Sequence, residues 1–131
     1  MKMKNGFTLI ELIIVLAIMA VLGAVAVPNF TNTSVKARLK ADVQSARVIN
    51  NAKDLYEIET GNAATGTASA IIETLVTNGY LKKSYSPQLT SATWILEDNI
   101  IKVDISVCDE SITDLYTNLS NDEKYYVKNG S

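Results

Sequence analysis

From Phe7 to Val27 the chain runs through twenty-one residues that are apolar apart from Thr8, Glu11 and Gly23. As a helix this stretch measures roughly 32 Å at about 1.5 Å per residue, enough to cross the hydrocarbon core of a bilayer. The run can span a membrane, and the rest of the chain has to be read as what such a helix carries.

Lys2 and Lys4 precede the run. An ordinary secretory signal places its small-residue cleavage site on the far side of a shorter apolar stretch. Here Ala24-Val25-Ala26 passes straight into Val27-Pro28, and the small residue that can admit a protease, Gly6, stands before the run. A cut there removes the basic leader and leaves the anchor on the protein. Glu11 is a second anomaly, because a carboxylate at the centre of a spanning helix costs about 2.5 to 3.5 kcal/mol on insertion scales and normally has a partner. After a cut at Gly6 the new amine of Phe7 lies about one helical turn from Glu11, or reaches the Glu11 of a neighbouring chain.

Gly6-Phe7-Thr8-Leu9-Ile10-Glu11, followed by an apolar run and Pro28, resembles the class III signal of type IV pilins, type II secretion pseudopilins and competence pilins. The resemblance is specific over Lys4 to Pro28 and architectural beyond about Glu59. It implies cleavage between Gly6 and Phe7 by a prepilin peptidase, N-methylation of Phe7, and assembly of a helical homo-oligomer through the apolar helix, with Phe7 and Glu11 as the assembly pair. It further implies an assembly platform and ATPase as partners, a bacterial cell membrane location before assembly, and an extracellular filament after it. A plain single-pass anchor leaves both Gly6 and Glu11 unexplained.

Three segments follow from this reading: 1–6 a leader peptide, 7–30 a transmembrane and polymerisation helix, and 31–131 a soluble head that includes the second half of the long helix. Pro28 lacks an N–H and clashes with the preceding turn, and Gly23 weakens a helix by about 1 kcal/mol relative to Ala. These two are the expected helix break, and in the resembling family the matching stretch unwinds on assembly. Beyond it, Val35, Leu39, Val43, Ala46, Ile49, Ala52 and Tyr56 recur at three or four residues and form one stripe of a helix reaching about Glu57. Lys36, Arg38, Lys40 and Arg47 read either as a solvated face or as contacts to acidic headgroups or a neighbour's carboxylates.

Ser69 is the expected cap of a short helix from Ala70 to Thr77, ended by Asn78-Gly79. Thr93–Glu97 and Ile100–Val107 flank Asp98-Asn99, a pair suited to a two-residue hairpin turn. In the second arm Ile101, Val103, Ile105 and Val107 alternate with polar residues, giving a buried face that the long-helix stripe can cover. Asp109–Leu119 reads as a short helix and Lys124–Lys128 as a last strand. The expected fold is α+β and pilin-like: a long N-terminal helix, its first half membrane-spanning, packed on a small antiparallel sheet.

The chain has no histidine and one cysteine, which excludes Ser-His-Asp and Cys-His catalysis, imidazole metal sites and an intrachain disulfide through Cys108. Many pilins close their C-terminal region with such a bond, so Cys108 departs from that pattern. Losing Lys2 and Lys4 with the leader takes the formal charge of the whole chain from −2 to −4, which gives no global attraction for nucleic acid; local contact with it stays open. Asp109, Glu110, Asp114, Asp122 and Glu123 crowd the C-terminal quarter without a recognisable calcium loop, and no cofactor is expected. Asn29, Asn32, Asn118 and Asn129 begin Asn-x-Ser/Thr triplets. Trp94, Tyr80 and Tyr116 read as core, and Tyr125 and Tyr126 as exposed. The leading reading is a structural filament subunit; the alternatives are a secretion pseudopilin or competence pilin, and a membrane-anchored enzyme using carboxylates alone.

Overall fold

The computed structural model describes residues 5–130, with the backbone alone at 27–30. Lys2 and Lys4 of the expected leader, and Ser131 of the last Asn-x-Ser triplet, lie outside the described residues. The chain divides after Ser34 into two units.

In the first unit Asn5–Thr8 has no regular structure and α1, Leu9–Thr60, begins. From Leu9 to Ala26 its apolar side chains are exposed, Ile13, Leu16 and Leu22 among them. By length and composition α1 can cross a membrane. The helix runs through Gly23 and Pro28 without interruption, where the sequence led us to expect a break.

The second unit holds the rest of α1, then α2 (Ala68–Thr77), β1 (Thr93–Glu97), β2 (Ile100–Asp104), α3 (Glu110–Thr117), α4 (Asn121–Lys124) and β3 (Val127–Lys128). The stripe on α1 is the covered face: Leu39, Val43, Ala46 and Ile49 have no exposed surface, Ala52 is buried, and Val35 and Tyr56 are half-buried. Two groups of core residues meet it. One joins Ile49 and Ala52 to Ile71, Leu75 and Ile101; the other joins Leu39 and Val43 to Val103, Ile105, Ile112 and Val127. Trp94 packs against both, and Tyr80 and Tyr116 are half-buried beside them.

Asp98 and Asn99 form the hairpin turn, both with positive φ (53° and 63°), as a two-residue turn of this hand requires. The antiparallel sheet expected from the sequence is mixed. Among the described residues it has the order β1-β2-β3, with β1 and β2 antiparallel but β3 parallel to β2 at Val103↔Val127 and Asp104↔Lys128. The connection from β2 to β3 passes through α3 and α4, and a crossover of that kind returns the chain in the same direction.

β2 also stops earlier than expected. Asp104 Oδ1 accepts the Ser106 N–H (2.9 Å) and hydroxyl (2.6 Å), a side-chain turn that competes with the ladder and leaves Val107 72% exposed. The cap of α2 is Thr67 rather than Ser69, its hydroxyl accepting the Ala70 N–H at 3.3 Å. Most of the expected last strand is helix or turn, because Ser120 and Glu123 close a capping box that starts α4.

Ile105 is fully buried, and its N–H donates to the Lys128 carbonyl at 2.9 Å. Ile105→Asp places an unpaired charge among Leu39, Val43 and Val127, and the expected loss is about 3 kcal/mol or more. A thermal melt followed by Trp94 fluorescence checks this; an unchanged midpoint would remove Ile105 from the core.

Candidate assembly site

The N-terminal site is built by the way α1 begins. Thr8 is the last residue before the helix and Glu11 is the third within it. The Thr8 N–H donates to Glu11 Oε2 at 2.7 Å and its hydroxyl donates to the same oxygen at 2.9 Å, while the Glu11 N–H donates to Thr8 Oγ1 at 3.3 Å. This is a reciprocal capping box, which satisfies helix-end N–H groups and sets a carboxylate at the positive end of the helix. Glu11 is therefore an end residue of α1 with a local partner, not a carboxylate stranded at mid-span. Its other oxygen, Oε1, has no hydrogen bond among the described residues.

Gly6 and Phe7 lie outside the helix and are exposed, Phe7 to 88%. Nothing lies within 4 Å of the position a Gly6 Cβ would take. Any demand for a small residue there comes from a molecule that handles the chain, not from packing within it. Phe7 directly precedes the residue whose N–H Glu11 holds. The sequence reading had Gly6, Phe7 and Glu11 but missed Thr8, although Thr-x-x-Glu is the readable signature of this cap.

In the head, three buried polar residues of α1 fix what the helix carries. Asp42 accepts N–H groups from Gln88 (2.7 Å) and Leu89 (3.0 Å); burial pushes its carboxyl above the ordinary range despite both bonds. Asn50 donates to the carbonyls of Ala46 and Ile101, both at 2.8 Å, and accepts the Ile101 N–H at 2.9 Å. Lys53, 1% exposed, pairs with Glu57 at 3.1 Å. The Ala64 N–H is the main cause of the lowered Glu57 carboxyl, with Lys53 adding to it against the effect of burial. None of the three stands out in sequence, because a polar residue at the margin of an apolar stripe looks like a solvated one.

Of the basic residues past the apolar run, Lys40 pairs with Glu123 at 3.4 Å, and Arg47 pairs with Asp122 while stacking over Tyr126. Lys36 and Arg38 are exposed and make no ion pair among the described residues. The acidic C-terminal residues do not converge: among the described residues no group of three His, Cys, Asp or Glu is placed to hold a metal ion. Cys108 is half-buried, its thiol donating to the Thr90 carbonyl at 3.4 Å and pushed up chiefly by burial.

The prokaryotic N-terminal methylation motif family matches residues 1–27. The type II secretion system core protein G of Vibrio cholerae is 29% identical over 101 residues, 72% of this chain and 68% of that protein. The prepilin peptidase-dependent protein A of Clostridium perfringens is 43% identical over 56 residues, covering 43% of this chain and 40% of its own. The type IV wide pilus major component PilA4 of Thermus thermophilus is 37% identical over 75 residues, 55% of this chain and 54% of that one. No solved structure matches.

Proposed function

We propose, for a chain of the type IV pilin and pseudopilin family that carries a prepilin-type methylation motif, the role of structural subunit in an extracellular filament. The role is structural and not enzymatic, as in the family. In this reading a prepilin peptidase cuts between Gly6 and Phe7, Phe7 is N-methylated, and the apolar part of α1 holds the mature chain in the cell membrane. An assembly platform and its ATPase then draw it into a homo-oligomer. The observation that carries the reading is the matched motif at the start of an exposed apolar helix whose first turn holds Glu11 beside the Phe7–Thr8 junction. Gly23 and Pro28 mark the part of α1 that gives way on assembly, since a missing N–H and a missing Cβ both lower the cost of unwinding.

A second reading, a type II secretion pseudopilin, is favoured by the similarity to core protein G of Vibrio cholerae, Escherichia coli and Aeromonas hydrophila. Deletion separates the two: loss of surface filaments with export intact supports the pilin, and arrested export of folded proteins supports the pseudopilin.

Processing is tested at Gly6. Its surroundings are open, so Gly6→Leu leaves the fold of the chain unchanged and blocks only entry to the peptidase. The expected result is accumulation of uncut precursor in the membrane. Mature chains beginning at Phe7, detected by mass spectrometry in that variant, would refute the cleavage site.

A further inference from the structure

On one flank of α1, where the helix passes the hairpin turn and the end of α4, lies an open pocket of about 120 Å³. Asn51 and Asp54 line it from α1, Asn99 from the turn between β1 and β2, and Tyr125 and Tyr126 from the segment that follows α4. Asn50 also borders it, with its amide already bonded to Ala46 and Ile101. Open hydrogen-bonding capacity gathers here. Asn51, Asn99 and Tyr125 are exposed, and their amides and hydroxyl have no hydrogen bond among the described residues. The Asp54 carboxylate faces the Lys53 ammonium at 3.7 Å, beyond hydrogen-bond distance.

These groups stand on a rigid frame. Asn99 holds φ at 63°, a backbone that glycine adopts with less strain, so this position gives up some ease of turning and gains an amide beside the pocket. The Tyr125 ring is 53% exposed yet held: it meets Tyr126 edge to face with centroids 5.1 Å apart. Tyr126 is half-buried and lies under the Arg47 guanidinium, which is itself paired with Asp122. A fixed aromatic ring standing half in water offers a flat apolar surface at little cost in side-chain entropy. The combination selects among ligands. A sugar ring has a C–H face that packs on an aromatic and a rim of hydroxyls, each both donor and acceptor, that suits neighbouring amides and a carboxylate. A nucleic acid strand has bases to stack but brings phosphates toward Asp54, and the Arg47 guanidinium is already committed to Asp122. A metal ion would find a single carboxylate.

We infer that this pocket binds an uncharged saccharide, one pyranose ring lying on Tyr125 with its hydroxyls bonded to Asn51, Asp54 and Asn99. The site is complete within one chain, so the inference stands or falls separately from the filament reading.

The test uses the full chain in lauryldimethylamine oxide, a detergent without a sugar headgroup. The probes are the methyl glycosides of glucose, galactose, mannose and N-acetylglucosamine. Saturation-transfer NMR with irradiation of the aromatic protons should reach the ring C–H groups of at least one probe, with a Kd on the order of 1 mM, as a few contacts to a single ring give. Tyr125→Ala and Asn51→Ala should each weaken that binding about tenfold. Asn99→Gly is the sharpest variant, because glycine suits the turn: binding should weaken as much while the thermal melt stays that of the parent. Transfer to none of the four probes at about twenty times that Kd overturns the inference. Transfer that survives Asn99→Gly or Tyr125→Ala undiminished places the sugar elsewhere on the chain and overturns it too. A single-stranded oligonucleotide that binds where no sugar does, and is lost in Tyr125→Ala, reassigns the pocket to nucleic acid.

Discussion

Cells whose only copy of the chain is Glu11→Val are expected to insert and cleave it and to make no filaments. In the single chain Glu11 closes the cap of α1 with Thr8, and losing that cap costs about 1 kcal/mol, too little to keep so apolar a helix out of a bilayer. In the proposed reading cleavage is set by the junction at Gly6 and Phe7, and the hydrogen bonds that Glu11→Val removes are to Thr8. In the proposed bundle the requirement is different. There the Phe7 amine is a buried cation surrounded by apolar helices, and a buried charge without its partner costs several kcal/mol.

Thr8→Ala separates the two roles of Glu11, since it removes the hydroxyl from the cap and keeps the carboxylate. Filaments should persist in that variant and vanish in Glu11→Val. The measurement is the sheared filament fraction with electron microscopy, alongside an immunoblot for mature chain in the membrane. Filaments of normal length and number from Glu11→Val would end the case for Glu11 in assembly. Loss in both variants alike would reassign Glu11 to the cap.

Much of this arrangement was readable from local sequence. The stripe from Val35 to Tyr56 is a single helix facing a core, and the Asp98-Asn99 turn dictates its hairpin whatever surrounds it. Thr8–Glu11 and Ser120–Glu123 are the same capping pattern, each masked in the sequence by the stronger signal of its neighbour, an apolar run and a tyrosine-rich segment. The direction of β3 was not readable, because two residues of pairing are chosen by where α3 and α4 deliver the chain. The side-chain turn at Asp104 ended a strand whose alternation continued to Val107. The polar ties at Asp42 and Asn50 join residues 46 to 51 positions apart, and no window of sequence contains both ends.

Asn50→Leu is expected to be the most destabilising single change in the head that leaves its apolar core untouched. The Asn50 amide behaves like a short piece of strand: it accepts the Ile101 N–H and donates to the carbonyl of the same residue, holding β2 against α1 in the buried interior. Leucine is close in size and suits a helix, so packing and propensity change little. What changes is that the Ile101 N–H and C=O lose this partner where water does not reach, at about 1 to 3 kcal/mol for each group. The expected total is roughly 2 to 6 kcal/mol, a fall in Tm of about 8 °C or more for a domain of this size. Asn50→Asp should be no better, because it keeps the acceptor for the N–H but sets a carboxylate against the Ile101 carbonyl. Trp94, which packs on both parts of the core, reports unfolding by its fluorescence in the detergent-solubilised chain. If Asn50→Leu melts within about 2 °C of the parent, well under 1 kcal/mol by the same scaling, the amide is not what pins β2 and the helix–sheet contact stands on apolar burial alone.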